Sequence, residues 1–134
     1  MVIDLDCSFY FRPEGEGRVW LSPHDETPSA PCDAAPEELD IAIAIDRFEK
    51  VVDWPIARVE RSWAGLRSFA PDRLPVYGEA PETPGFWWCA GQGGFGIQTA
   101  PAGAAVCAST ILDAPLAGQY AALDAARYAP GRFA

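Results

Sequence analysis

The sequence predicts an α+β fold, with a partial antiparallel sheet and a covering helix, followed by a strand, a glycine-rich loop and a second helix. Three observations indicate this class. Short apolar runs around a glycine turn fill the first 22 residues, which is typical of a hairpin. Apolar residues then recur at helical spacing over residues 36–52. Further on, the apolar residues 86–90 lead into four glycines within six residues.

The N-terminal sheet is predicted from three short runs. Residues 2–5 are expected to form a strand without a partner, because no earlier element in the sequence can pair with it. Residues 8–12 predict a second strand, and residues 19–21 return as its hairpin partner after a turn at residues 15–17. Residues 23–31 are rich in proline and are expected to be a loop.

The covering helix is predicted over residues 36–52. Proline at its start and acidic residues in its first turn suit the positive end of a helix. Its apolar positions are expected to form one buried face, made of Ile41, Ile45, Phe48 and Val52. The alternating residues 56–63 predict a further strand, with one side formed by Ala57, Val59 and Trp63.

The last third is predicted as a strand over residues 86–90, a loop over residues 91–96, a helix over residues 99–112 and a weak helix over residues 119–128. Glycines let the loop backbone take positive φ and approach a ligand closely. Free N–H groups at the start of the next helix favour negative charge in that loop. A tight structural turn is the alternative interpretation of the same glycines.

Composition narrows the function classes. The chain has 134 residues, one domain's worth, and a net charge of −9 that repels phosphate backbones and weighs against nucleic-acid binding. No apolar run reaches the ~20 residues of a membrane helix, and the first residues do not resemble a signal peptide, so a cytoplasmic protein is expected. The cysteines are too widely spaced for a zinc motif, so no metal is expected; we predict that they are reduced and packed as small hydrophobic residues: Cys7, Cys32, Cys89 and Cys107.

Two side chains could bind an anionic ligand. Arg67 has a guanidinium that can hold a carboxylate through two parallel bonds, although an ion pair with one of the many acids is the alternative. Tyr10 offers a hydroxyl donor on a strand, but the sequence alone favours a core residue with a solvated tip. His24 is expected to be solvated, and the tryptophans are expected to pack as core or strand residues: Trp63, Trp87 and Trp88.

Several separated segments, matched in order, resemble the FAD-dependent amine oxidoreductases, the superfamily of D-amino-acid oxidase and glycine oxidase. Within it, the likeness is strongest to the D-arginine dehydrogenases, and it covers nearly the whole chain. The segments are Ser8-Phe9-Tyr10, Glu38-Leu39-Asp40-Ile41-Ala42, Trp63-Ala64-Gly65-Leu66-Arg67-Ser68-Phe69 and residues 91–99.

The resemblance implies FAD as cofactor and an amino acid, expected to be a D-amino acid, as substrate, its C–N bond being oxidised by hydride transfer to the flavin. Arg67 would hold the substrate carboxylate, Tyr10 would donate a second bond to it, and the Gly94 carbonyl would accept a bond from the amine. Arg67 and Gln98 are the expected catalytic residues. The flavin ring would lie on Gly91, Gln92, Gly93, Gly94, Phe95, Gly96, Ile97 and Gln98.

The same resemblance implies two domain fragments: residues 1–67 as the C-terminal part of a substrate-binding domain, and residues 68–134 as the C-terminal part of a Rossmann-like FAD-binding domain. The N-terminal βαβ unit of the family, with its glycine fingerprint, is absent from this sequence. An N-terminal partner chain that carries this unit is therefore expected to be needed for activity. Two alternatives remain: a catalytically incomplete structural or interaction module, and a small anion- or nucleotide-binding domain that uses the loop.

Overall fold

The computed structural model describes residues 1–134, which form two compact units, Met1–Leu66 and Arg67–Ala134. Each unit contains one antiparallel sheet and one α-helix. None of the helices has the length and apolar character needed to cross a lipid bilayer.

The sheet of the first unit has three antiparallel strands in the order β1 (Val2–Ile3), β2 (Tyr10–Gly15) and β3 (Arg18–Ser22). The predicted hairpin of β2 and β3 is confirmed, with an irregular register near its turn. The prediction that the first strand lacks a partner is wrong, because β1 pairs with β2.

A turn at Asp4 makes this pairing possible. The Asp4 carboxylate accepts hydrogen bonds from the Ser8 backbone N–H, at 2.6 Å, and from the Ser8 hydroxyl, at 2.7 Å. The Ser8 hydroxyl bond, helped by backbone N–H bonds, lowers the pKa of Asp4. A side chain thus supplies the bonds that reverse the chain, which the apolar pattern of the strands did not indicate.

Helix α1 (Glu38–Glu49) packs on the sheet through its one fully buried large side chain. Phe48 is completely buried, and its ring meets the Phe11 ring edge to face at a centroid distance of 5.0 Å. The predicted apolar face is confirmed at Phe48, whereas the isoleucines of α1 are only half-buried. Arg47 of the same helix donates to the carbonyl oxygens of Ser8 and Pro23, which ties α1 to the strand connections.

The strand predicted over residues 56–63 is absent, because this segment has no strand beside it to satisfy its backbone groups. Trp63, predicted to be in the core, is 60% exposed. Its ring instead packs edge to face on the Trp20 ring, at a centroid distance of 5.5 Å. The Arg12 Cζ lies 4.0 Å from the centroid of the Trp20 ring. The alternation of apolar and polar residues over residues 56–63 was therefore not sufficient to predict a strand.

The second unit is built on a two-stranded antiparallel sheet of β4 (Val76–Glu79) and β5 (Trp87–Ala90), covered by α2 (Gly96–Ile111). The predicted apolar strand and the helix after it are confirmed, but β4 was missed because its four residues lie in a stretch rich in turn residues. Tyr77 of β4 is 5% exposed and lies under α2. A Cβ on Gly103 would be 2.8 Å from the Tyr77 hydroxyl oxygen, so this glycine permits the close packing.

The C-terminal segment forms three short 3₁₀ helices, Gly118–Tyr120, Ala125–Tyr128 and Pro130–Phe133, so the weak helix predicted over residues 119–128 is wrong. Gly118 takes a φ of +60° and interrupts any regular helix at its start.

Candidate functional site

The glycine-rich loop of the second unit lies between β5 and α2 and is bonded to the segment that follows Arg67. The Gly93 N–H donates to the Ser68 carbonyl at 3.1 Å, and Phe69 forms an antiparallel bridge with Gln92. These bonds hold the loop and the arginine segment side by side, although they are far apart in sequence.

Three glycines of the loop adopt left-handed backbone conformations, with φ of +73° at Gly91, +57° at Gly93 and +94° at Gly94. Other residue types rarely adopt such angles. The glycines therefore allow the sharp change of direction from β5 into α2, as the sequence predicted.

The Arg67 side chain lies against Gly94. A Cβ built on Gly94 would be 2.8 Å from Arg67 Cδ and 3.5 Å from its Nη1. The guanidinium is thus close to the loop, which is the geometry that the carboxylate hypothesis requires. The binding roles of Arg67 and Gly94 stay predictions.

The N-terminus of α2 presents backbone donors that the chain itself does not use. Phe95 is the N-cap and provides no side-chain cap, and the first turn contains no acidic residue. The N–H groups of Gly96, Ile97 and Gln98 have no acceptor within the chain, whereas the Thr99 N–H bonds to the Phe95 carbonyl at 3.0 Å. A negatively charged group at this helix end would be stabilised.

Behind the loop is a polar cluster that the sequence analysis missed. The buried Tyr77 hydroxyl interacts with the side chains of Thr99 and Gln92, while burial and nearby Cys89 raise the pKa of Tyr77. Gln92 also donates to the Cys89 sulfur at 3.8 Å. The one sequence signal was a tyrosine within the short apolar run that became β4.

The cysteine prediction needs correction. No disulfide is present, but three of the four thiols are exposed and only Cys107 is half-buried. Burial, together with a hydrogen bond to Cys89, raises the pKa of the Cys107 thiol to about 11. Three cysteines are therefore not packed as small hydrophobic residues. The adjacent tryptophans of β5 are also more open than expected, with Trp88 at 42% exposure.

Tyr10 and His24 belong to the first unit. Tyr10 is half-buried on β2, and the His24 ring meets it edge to face at a centroid distance of 5.7 Å. His24 Nδ1 also forms a hydrogen bond with the Cys7 carbonyl. The expectation of a merely solvated histidine is therefore wrong, while the substrate role of Tyr10 stays a prediction.

A strand, a loop of left-handed glycines, an open helix N-terminus and an arginine on the loop are features of a site for a ligand with anionic groups. The family model described as "DAO: FAD dependent oxidoreductase" matches residues 1–110. The chain therefore belongs to this family of oxidoreductases, whose cofactor is FAD.

Two relatives illustrate the range of the family. The chain is 30% identical over 125 residues to a glycine oxidase of Pseudomonas aeruginosa, an alignment that covers 90% of this chain and 32% of the relative. It is 46% identical over 46 residues to the tRNA 5-methylaminomethyl-2-thiouridine biosynthesis bifunctional protein MnmC of Verminephrobacter eiseniae, covering 33% of this chain and 7% of that protein. The chain thus spans about a third of the length of the first relative and less than a tenth of the second.

The residues present fit one part of FAD. The space that a Cβ at Gly93 or Gly94 would need is already taken by the Phe69 ring and the Arg67 side chain, so the fit to FAD depends on the start of α2. The unused N–H groups of α2 would face an electron-rich ring edge. These features suit the flavin ring. The letters G-x-G-x-x-G occur at residues 91–96, but they follow the antiparallel strand β5 and not the first strand of a βαβ unit, which is the context that binds the pyrophosphate.

Proposed function

We propose that these residues form the substrate and flavin-ring side of an FAD-dependent enzyme that oxidises the C–N bond of an amino acid, either glycine or a D-amino acid. Family membership supports the redox class. The observation that carries the substrate class is the position of the Arg67 side chain against Gly94.

Arg67 would bind the substrate carboxylate. A guanidinium holds a carboxylate with two parallel hydrogen bonds, which set both position and orientation. A charge-assisted bond of this kind contributes about 1.5–3 kcal/mol. The half-buried position of Arg67 limits competition from water.

The glycine loop would orient the amine and hold the flavin ring. The Gly94 carbonyl would accept a hydrogen bond from the substrate amine, next to the arginine that binds the carboxylate. When bound, FAD would supply the acceptor for the hydride of the carbon that carries the amine, and water would convert the resulting imine to a 2-oxo acid and ammonia. The N–H groups at the start of α2, Gln98 among them, would stabilise negative charge on the ring that rests there.

Two finer assignments follow the resemblance to the D-arginine dehydrogenases. By that resemblance, Tyr10 would donate a second hydrogen bond to the carboxylate. Gln98 would contact the flavin, since it is exposed in the first turn of α2.

The pyrophosphate of FAD would be held by a βαβ unit outside these 134 residues, supplied by a further segment or by a partner chain. Holding a flavin through one loop and one helix end gives weak affinity, so we expect the 134-residue chain to bind FAD weakly. The tRNA named in the MnmC relative is not proposed as a substrate, because a net charge of −9 repels a phosphate backbone.

The test is a titration of the purified chain with FAD, followed by glycine, with flavin fluorescence and absorbance as the readouts. We expect weak but saturable FAD uptake at high FAD concentration, and a glycine-dependent spectral change in the FAD-loaded chain. Arg67→Lys, which keeps the charge but loses the fork, should weaken glycine binding roughly tenfold and leave FAD uptake unchanged. Arg127→Lys, at an exposed position in a 3₁₀ helix, is the matched control.

Each alternative has its own result. Uptake of ATP without FAD would favour a nucleotide-binding domain. Uptake of neither would favour a structural module. Unchanged glycine affinity in Arg67→Lys would contradict the carboxylate role.

A further inference from the structure

We infer that Phe69 is a positioning residue that holds the Arg67 guanidinium over the glycine loop. The inference rests on the proposed function for its consequence in binding, but the contact itself is independent of any ligand. Neither the sequence analysis nor the family match assigns Phe69 a role.

The Phe69 ring is fixed by the loop. Its backbone forms the bridge to Gln92, and a Cβ on Gly93 would lie 2.7 Å from ring atom Cε1 and 2.9 Å from Cδ1. The ring therefore occupies the space that a side chain at residue 93 would need. The contacts with the loop therefore restrict the motion of the Phe69 ring.

The Arg67 guanidinium lies over the Phe69 ring. Its Cζ is 5.3 Å from the centroid of the Phe69 ring, within the ~6 Å over which a cation is attracted to an aromatic face. An arginine side chain has many rotamers, and fixing it before a ligand arrives lowers the entropy cost of binding. Gly94 gives space to the arginine stem, while Gly93 gives space to the ring.

A second arginine shares the ring. Arg73 Cζ is 4.7 Å from the same centroid, and Arg73 takes a φ of +66° in the turn after Ala70. This arrangement offers a control, because Arg73→Ala removes the second cation from the ring while residues 67, 69 and 91–96 keep their identity.

The first test needs no ligand. In an NMR spectrum, the Arg67 Hε resonance should be shifted upfield by the Phe69 ring relative to the Arg127 Hε. Phe69→Leu should abolish this shift, whereas Phe69→Tyr should keep it. An Arg67 Hε that is unshifted, or that does not respond to Phe69→Leu, would overturn the inference.

The second test measures binding of glycine to the FAD-loaded chain. We expect Phe69→Leu to weaken glycine by roughly 3- to 30-fold, with FAD affinity unchanged. Phe69→Tyr should restore glycine affinity, and Arg73→Ala should leave it within about twofold. In an Arg67→Ala background, Phe69→Leu should have no further effect, because the ring acts through the arginine.

Fluorinated phenylalanines at residue 69 distinguish a weakened cation–ring contact from a folding defect. They keep the ring shape but weaken its negative face, so glycine affinity should fall as fluorines are added. Equal affinity across this series would overturn the inference. If Arg67→Lys weakens glycine and Phe69→Leu does not, only the positioning role falls. If Arg67→Lys has no effect on glycine, the proposed carboxylate role falls, and the NMR shift still decides the contact.

Discussion

At the scale of single residues, Gly93 and Gly94 accommodate two different side chains. A Cβ at the first would collide with the Phe69 ring, and a Cβ at the second with the Arg67 stem. Both also have positive φ, so backbone strain and lost space would add in any substitution. Separating these two effects requires a glycine with similar backbone angles and open surroundings.

Gly85 provides that control for Gly94. Gly94→Ala adds a methyl group 2.8 Å from Arg67 Cδ, whereas Gly85, at φ +85°, has nothing within 4 Å of its Cβ position. Both variants should lose about 1–2 kcal/mol of stability from the left-handed backbone. Only Gly94→Ala should also weaken glycine binding to the FAD-loaded chain, by roughly tenfold. Equal glycine affinities in both variants would contradict the Arg67–Gly94 arrangement.

Cys107 is expected to react with thiol reagents more slowly than the other three cysteines. With a pKa of about 11, roughly one molecule in a thousand carries the thiolate at pH 8. A thiol reagent should therefore modify the exposed cysteines first and Cys107 last, and the slow rate should rise with pH up to about 11. Peptide mass spectrometry after timed labelling identifies the sites. Rapid labelling of Cys107 at pH 8 would show that it is not buried as described.

At the scale of elements, Arg132 fastens the C-terminal 3₁₀ helices to the turn before β4. Its guanidinium donates to both carboxylate oxygens of Asp72, at 2.7 and 3.1 Å. It also donates to backbone carbonyls of the turn before β4 and of the 3₁₀ helices. The acceptors are Leu74, Pro75, Tyr128 and Ala129. The bond from Arg132 lowers the pKa of Asp72, so the contact favours the ionised carboxylate.

Arg132→Lys should weaken the packing of residues 124–134 on the turn before β4. A lysine cannot reproduce the planar fork, and carbonyl groups would lose donors at a site where the arginine side chain is only 14% exposed. We expect a loss of about 1–3 kcal/mol in unfolding free energy and faster hydrogen exchange over residues 124–134. Arg127→Lys, on an exposed face of the same segment, should change neither measurement.

The Asp72 contact also sets a pH dependence. The folded-state pKa of Asp72 lies below its ordinary value of 3.8, so its contribution is present above pH 3.8 and is lost as pH falls through the lower folded pKa. An Asp72→Asn variant should remove that component of acid sensitivity.

At the scale of the whole molecule, the chain consists of two compact units. Residues 54–68, which include the boundary between the units, form no helix or strand. That stretch is exposed and contains Arg58 and Arg61. The Arg58–Glu60 ion pair, at 2.8 Å, is on the surface and contributes little rigidity.

Limited trypsin digestion should cut this stretch first, after Arg58 or Arg61. Regular elements resist cleavage because local unfolding must precede it, so the cut at Arg47 on α1 should follow much later. Mass spectrometry of the early fragments checks the order. An Arg58→Gln, Arg61→Gln variant should be cut more slowly, and early cleavage at Arg47 would contradict the described packing of α1.

Much of the second unit could be predicted from the sequence. The apolar run and the glycines predicted β5, the loop and α2 because their signals are local: burial of consecutive residues and backbone angles that only glycine adopts readily. The candidate residues Arg67 and Gly94 were also chosen from the sequence. Strand β4, the Tyr77 cluster and the Phe69 contact were not, since each depends on pairing between segments that carry no shared pattern.

The amino-acid sequence by itself determined the family, the cofactor class and the residue types at the candidate site, because those are properties of short ordered motifs. Tertiary structure alone decided that β1 has a partner, that residues 56–63 form no strand and that the Arg67 side chain meets Gly94 beside the Phe69 ring. The physical reason is that hydrogen-bond partners and close contacts come from chain segments brought together by folding, and a local pattern does not encode which segments meet.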